Sequence, residues 1–249
     1  MMDVVICAGG YGQIRSGFTK VCEEINGKPM ILRILEKCNE LKRRWGFNVT
    51  VALNQKFFGQ YLRTVPDYLV YSFDTVIQPE RKGTIDALER ALGHTQSGSI
   101  LVMYGDMPFW TLETLEGIMH QHREQRATLT FATFQLRKDS LPSICKYGRV
   151  QKDKSGRIVE LIDRKEPLPA GTQVSPSLFC FEQQWLRRNM HKAPILPRPD
   201  GLSGEQSLAS LIPMASMDGQ KVVEYWITDE KEALGINTAE DLELARQLF

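Results

Sequence analysis

An α/β fold, with a mostly parallel central sheet and a smaller β-rich lobe, is what three observations in the sequence predict. Strand-like and helix-like patterns alternate through the first half of the 249 residues, the way βαβ units feed a parallel sheet. The run Ser99–Tyr104 is apolar enough for a central strand, so the sheet should be covered on both faces. A glycine-dense stretch, Ala8-Gly9-Gly10-Tyr11-Gly12, directly follows the first apolar run, where open α/β sheets collect ligands.

The elements are expected in this order. Residues 4–8 form the first strand, and Gly27-Lys28-Pro29 opens a helix in which Ile31, Ile34, Leu35 and Cys38 recur at helical spacing. A second strand at 48–53 is followed by a short helix, a third strand at 69–77, a helix at Thr84–Leu92 and the strand Ser99–Tyr104. His120 and His122 sit on a further helix, before a strand at 129–134. In the second half, 147–150 and 157–162 read as a hairpin turned at Asp153-Lys154-Ser155-Gly156, and 173–181 as one more strand. The segment 191–204 holds Pro194, Pro197 and Pro199 and reads as a loop, either a linker or a lid. Helical patterns at 205–217 and 238–248 close the chain, with a strand between them at 222–227.

Composition excludes several classes of function. With 31 basic against 30 acidic residues there is no net field to gather nucleic acid or an anionic membrane, and small-molecule chemistry is favoured. The basic runs at 42–44 and 123–126 read as solvated helix faces and ends. Five cysteines form no C-x-x-C pair and are odd in number, which argues against a disulfide framework and a thiolate metal site and suits a reducing cytoplasm. No apolar run approaches the length of a membrane span, and no basic region precedes the N-terminal apolar run. His120 and His122 lie two apart on a helix and so point to different faces; both are expected at the solvated surface.

Three markers carry chemistry. The first is the glycine loop ending at Lys20: glycine lets backbone N–H groups approach phosphate oxygens, although the spacing fits neither G-x-x-x-x-G-K nor G-x-G-x-x-G. The second is Gln78-Pro79-Glu80-Arg81-Lys82-Gly83-Thr84. A side-chain amide offers a donor and an acceptor to the imide edge of a pyrimidine, so Gln78 is a candidate base reader; the same residues also serve an ordinary turn with Thr84 as cap. The third is Tyr104-Gly105-Asp106, which places a hard carboxylate at a strand's end, suited to Mg²⁺ held against phosphates or to capping the next turn.

Taken in order along one sheet, these markers make the chain resemble the sugar-1-phosphate nucleotidyltransferases, and among them the uridyltransferase domain of N-acetylglucosamine-1-phosphate uridyltransferases. The resemblance takes in CAGGYGQIRSGFTK, NGKPM, Gln78 with Gly83-Thr84, YGD at Tyr104 to Asp106, YGRV from Tyr147, GEQSLASLIP from Gly204 and GIN ending at Asn237. It implies a Rossmann-like three-layer nucleotidyltransferase fold in a single domain, with 1–135 binding nucleotide and 136–249 holding the sugar-phosphate side and closing helices. It also implies Mg²⁺-dependent transfer of a nucleoside monophosphate, from UTP first, to a sugar 1-phosphate with release of pyrophosphate. Ala8, Gly9, Gly10, Gly12, Gln13, Gln78, Gly83 and Thr84 would bind the nucleotide. Lys20 would meet the phosphates, Asp106 and Asn237 the metal, and Tyr104, Gly148, Asp163 and Ser175 the acceptor.

The sequence departs from that family at three places. Where the loop usually carries an arginine facing the triphosphate, Gln13 and Ile14 stand, and Arg15 is the candidate substitute. Loss of one preorganised cation commonly costs roughly two to three powers of ten in rate. On the acceptor side Ser175-Pro176 replaces an asparagine-containing segment, and Asp163 stands in place of glutamate. No hexapeptide repeats occur, so the resemblance is to the uridyltransferase half alone. Another phosphomonoester acceptor, or a binding protein that has lost the catalytic arginine, are the alternatives.

Overall fold

Seven consecutive residues, Met2–Ala8, form β1, whose Val4, Val5 and Ile6 are wholly buried. The structure, a computed structural model, describes residues 2–10, 12–15, 17–80, 82–162, 167–196 and 204–249. After β1 come α1 (Met30–Trp45), β2 (Val49–Asn54), α2 (Phe58–Thr64), α3 (Asp67–Val70), β3 (Asp74–Gln78), α4 (Thr84–Leu92), β4 (Ser99–Tyr104), α5 (Leu112–Glu124) and β5 (Leu129–Gln135). The second half contributes β6 (Gly148–Lys152), β7 (Ile158–Ile162), β8 (Gln173–Ser175), β9 (Phe179–Glu182), α6 (Gln183–Asn189), α7 (Leu211–Met217), β10 (Val222–Trp226) and α8 (Ala239–Leu248).

These strands make one ten-stranded sheet in the order β3-β2-β1-β4-β9-β5-β8-β6-β7, with β10 on the other edge of β5. β1 is parallel to both β2 and β4, β2 to β3, and β10 to β5. β9 runs antiparallel to β4 and to β5, so β5 points the same way as β4 and β9 is the one reversed strand in the main body. The mostly parallel expectation holds there, and the added β8-β6-β7 ribbon is antiparallel.

Side-chain alternation sorts the strands onto two cores. Val4, Ile6, Leu101 and Met103 face one layer with Ile31, Ile34 and Leu35 of α1 and Leu115 and Ile118 of α5. Val5, Ile100 and Val102 face the other, with Ile85 and Leu88 of α4, Leu186 of α6 and Leu211 and Ile212 of α7. A sheet covered on both faces reads as continuous apolar runs, as β1 and β4 do. A third, smaller cluster joins α8 to the start of α1 through Ile25, Met30, Ile236 and Leu242, beside the stacked rings of Phe109 and Phe249. At the amino ends of the strands the buried carboxylate of Asp3 accepts from Asn48 N at 3.0 Å, Gln96 N at 2.7 Å and Ser97 N at 2.9 Å, tying three chain segments together.

Several boundaries differ from expectation. Residues 69–77 are not one strand: Pro66 caps a turn of helix at Asp67–Val70, and β3 begins only at Asp74. The run 173–181 breaks at Pro176-Ser177-Leu178, where Ser177 has φ +58°; β9 lies between β4 and β5, whereas β8 joins the end of β5 to β6. The pattern at 205–217 starts with a two-residue ladder, Glu205–Gln206 against Ile195–Leu196, and turns helical only from Leu208. His122 is the clearest correction. It is buried on α5 with Nδ1 at 2.9 Å from Thr130 Oγ1, whereas His120 is exposed and meets Glu124 at 3.2 Å.

Burial lowers the pKa of His122 from 6.5 to about 4, against a smaller opposing pull from Glu182. Below pH 6.5 the unfolded chain takes up a proton that the folded chain refuses, so stability falls as pH drops from about 6.5 to about 4 and levels off below that. The loss attributable to this one residue is on the order of 3 kcal/mol. A His122→Gln variant should lose less stability than the parent between pH 7 and pH 4.5, as measured by urea unfolding at the two values.

Candidate active site

The carboxyl ends of β1, β3 and β4 open onto one cavity of about 160 Å³, lined by Cys7, Gly9, Gly10, Gln78, Gly83, Thr84, Ala87, Tyr104 and Asp106. All three sequence markers therefore meet, because parallel neighbours put their following loops on the same side of the sheet. Two glycines are required by close approach: a Cβ at Gly9 would lie 2.6 Å from Gln78 Oε1, and one at Gly105 would lie 2.8 Å from Ala8 Cβ. Gly105 N also donates to Cys7 O at 2.9 Å, bonding the two loops directly.

Lys20 crosses from the glycine loop to the third marker. Its Nζ donates to Asp106 Oδ2 at 2.5 Å and to Asn237 Oδ1 at 2.6 Å. The stem runs over Gly12, where a Cβ would approach Lys20 Cδ to 3.1 Å. Asn237 arrives from the far end of the chain, 217 positions away, and is placed by the capping box of α8. In that box Thr238 Oγ1 accepts from Asp241 N, while Asp241 Oδ2 accepts from the N–H groups of Asn237 and Thr238, each at 3.0 Å. Ile236 N donates to Asp106 O at 2.9 Å, and Tyr147 OH donates to Ala233 O and accepts from Gly235 N at 3.0 Å. Burial and the nearby Asp106 push the Tyr147 phenol above its usual range and the Cys7 thiol up to about 12, so both stay protonated at neutral pH.

The two oxygens of Asp106 and Asn237 converge on one cationic group. A carboxylate and an amide carbonyl are hard donors, and Mg²⁺ is commonly held by one or two such groups with water and phosphate completing its shell, so this pair fits it. Among the described residues no cluster of three or more His, Cys, Asp or Glu side chains could hold a metal.

The loop between Gly12 and Lys20 is tied by side chains. Gln13 Oε1 accepts from Gly17 N at 3.0 Å, and Gln60 accepts from Thr19 N at 2.9 Å while donating to Gly17 O at 2.6 Å. Gln60, more than forty positions away on α2, was not legible as a loop partner because no local pattern announces it. Arg15 turns toward buried Glu23, Nε to Oε1 2.8 Å, with its guanidinium 4.5 Å above the Phe18 ring and its side chain 64% exposed. It does not contact the Lys20 cluster.

Gln78, the expected base reader, donates from Nε2 to Gly83 O at 3.0 Å and to Asp86 Oδ2 at 2.8 Å. The expected donor-and-acceptor presentation is thus corrected: the donor is spent inside the protein. Thr84 is the first residue of α4 and Gly83, at φ +93°, its cap, so Thr84 is not the cap itself; its hydroxyl accepts from Leu208 N at 3.0 Å. Gly148 and Ser175, expected to meet an acceptor, are ladder partners, and Ser175 Oγ is buried without a hydrogen-bond partner among the described residues. Tyr104 lines the cavity with its ring edge-on to Phe179. Asp163 lies outside the described residues.

A sequence profile for the MobA-like NTP transferase domain matches residues 4–195, more than three quarters of the chain. The chain belongs to this family. As a MobA-like NTP transferase it is a nucleotidyltransferase, and its mixed α/β sheet is that of solved nucleotidyltransferases. The bifunctional protein GlmU of Thermodesulfovibrio yellowstonii is 29% identical over 98% of this chain and 51% of its own length. GlmU of Bacillus thuringiensis (strain Al Hakam) is 26% identical over 94% of the chain and 48% of its own. The chain thus spans about half the length of these relatives. Among solved structures, a Bacillus anthracis protein assigned as a glucose-1-phosphate thymidylyltransferase, in complex with a sucrose, superposes with a TM-score of 0.70 at 14% identity, covering 100% of this chain and 95% of that one. HddC from Yersinia pseudotuberculosis complexed with GMP-PN gives 0.64 at 18% identity over 99% of each chain.

Gly9→Ala should push the Gln78 amide out of place while leaving the fold intact. Nucleotide affinity by calorimetry is expected to fall about tenfold or more, with a stability loss of about 1–3 kcal/mol and a cooperative unfolding transition retained.

Proposed function

We propose that this nucleotidyltransferase transfers a nucleoside monophosphate, from UTP first, to a sugar 1-phosphate and releases pyrophosphate. The observation that carries the reading is the convergence of Lys20, Asp106 and Asn237 beside the strand-end cavity. The glucose-1-phosphate thymidylyltransferase assignment of the Bacillus anthracis structural neighbour supports a sugar phosphate as acceptor. Ala8, Gly9, Gly10 and Gly12 would bring backbone N–H groups to the triphosphate, and Tyr104, Gly148, Ser175 and Asp163 would face the acceptor.

The chemistry asks little of titrating side chains. A phosphate monoester has its second pKa at about 6, so the acceptor is mostly a dianion at neutral pH and needs no general base. One acceptor oxygen attacks the α-phosphorus as the bond to pyrophosphate breaks, and the leaving group carries away the electron pair. Cys7 lines the cavity as a protonated thiol, which suits direct transfer without a covalent enzyme intermediate. Asp106 and Asn237 would hold Mg²⁺, whose contribution when bound is to neutralise phosphate charge. Lys20, released from its two oxygens, would turn to the phosphates of the nucleotide. Arg15 would exchange Glu23 for the triphosphate and so supply the cation that Gln13 lacks. Five unpaired cysteines and the absence of a membrane-crossing helix among the described residues are compatible with the cytoplasm as the place of work.

The engagement of Gln13 with Gly17, where relatives would offer an arginine, favours one other reading: a nucleotide-sugar binder without turnover. Pyrophosphate release decides between them. With Mg²⁺ and a panel of nucleoside triphosphates and sugar 1-phosphates, the protein is expected to release pyrophosphate with one preferred pair, and Asp106→Ala or EDTA to abolish it; binding without release from any pair would favour the binder. Arg15→Ala should lower kcat by roughly a hundredfold and Gln13→Ala change it little, and the reverse order would remove Arg15 from catalysis.

A further inference from the structure

Gln78 ends β3 with a buried side chain on the cavity wall. Its Nε2 faces two acceptors, the carbonyl of Gly83 at 3.0 Å and the carboxylate of Asp86 at 2.8 Å. Turning the amide over would set Oε1 against both oxygens, so the network admits one orientation. Asp86 is itself fixed, accepting from Arg90 Nε at 3.1 Å and Nη2 at 3.2 Å one turn along α4. Oε1 is therefore the atom turned toward Gly9, where the missing side chain leaves it standing at the cavity.

An oxygen held in this way asks its ligand for an N–H. Uracil and thymine carry one at N3 and guanine at N1, whereas cytosine at N3 and adenine at N1 present a lone pair. We propose that Asp86 is a specificity-setting positioning residue: by fixing the Gln78 amide with its oxygen outward, it makes the cavity select bases with a ring N–H and reject those with a ring lone pair. Asp86 need not touch the nucleotide to do so. The inference rests on the reading of the cavity as a nucleoside triphosphate site, and it holds for either ring size, pairing U against C and G against A.

A role in helix stability alone would look different. Asp86 sits in the first turn of α4 and pairs with Arg90 four residues on, an arrangement that supports many helices. Loss of such support weakens every nucleotide alike and leaves their ratio unchanged.

The test is calorimetric binding of UTP, CTP, GTP and ATP, with Mg²⁺, to the full chain and to Asp86→Ala and Asp86→Asn. The parent should favour UTP over CTP, or GTP over ATP, by at least about tenfold, the cost of setting an acceptor against a buried acceptor. Asp86→Ala, which removes the charged tether, should shrink that ratio about tenfold, chiefly by gaining affinity for the disfavoured base. Asp86→Asn keeps an acceptor oxygen for Nε2 and should keep the ratio. Equal weakening of both members of the pair in Asp86→Ala would overturn the proposal, and so would a parent protein that binds without discrimination, a result needing no variant. Failure of the parent to bind any of the four would overturn the nucleotide reading itself.

Discussion

β1 is hydrogen-bonded to a parallel neighbour on each edge and clamped at its start by Asp3, and everything around the site depends on that pairing. The register places Ala8 beside Leu53 and Cys7 beside Tyr104, so the ends of β1, β2 and β4 stop at nearly the same level. Loops leaving those ends have only one direction in which to go. Their packing is close enough that Gly9 and Gly105 admit no side chain without moving a neighbour, and the cavity is what remains between them. Both faces of the sheet are covered, so a shift of one residue would turn apolar side chains of one core into the other; the register is fixed by burial as much as by hydrogen bonds.

Within this frame the charged cluster is a balanced set. A buried ammonium without partners would be costly, and Lys20 avoids that cost by sitting between a carboxylate and an amide oxygen. The same two oxygens are the ones chemically suited to a hard divalent ion, and the same ammonium is suited to phosphate. Resting protein and loaded protein would then use one group of atoms with exchanged partners, so that ligand binding need not create uncompensated charge. Positioning comes from elements remote in sequence: the capping box of α8 aims Asn237, and Tyr147 fastens the loop before it. At the break Pro176-Ser177 the chain passes from the antiparallel ribbon that carries Gly148 and Ser175 to β9.

The family relationship and the local departures bear on different levels. Fold similarity at TM-scores of 0.64 and 0.70 with identities of 18% and 14% reflects the two-sided core, which many apolar sequences can build. The departures fall in loops, where one side chain changes a role. Gln13 ties its own loop through Gly17, and Arg15 is held by Glu23 with its guanidinium over the Phe18 ring. The orientation of the Gln78 amide is likewise set in this loop layer, by Gly83 and Asp86.

The alternation of strands and helices, the apolar strands of a doubly covered sheet and the three markers at strand ends are legible along the chain, because each is a local pattern of period, glycine content or terminal charge. Thr84–Leu92 and Ser99–Tyr104 are legible to the residue, where period and boundary signals agree. Relations between distant residues came only with folding. The meeting of Lys20 with Asn237, the Gln60 latch, the burial of His122 against Thr130 and the division of 173–181 between two sheet neighbours all follow from packing. The same holds for Gln78: the sequence supplied an amide, but which of its ends faces the cavity depended on Gly83 and Asp86 being folded against it, since an amide's direction is set by its partners and by nothing in the residue itself.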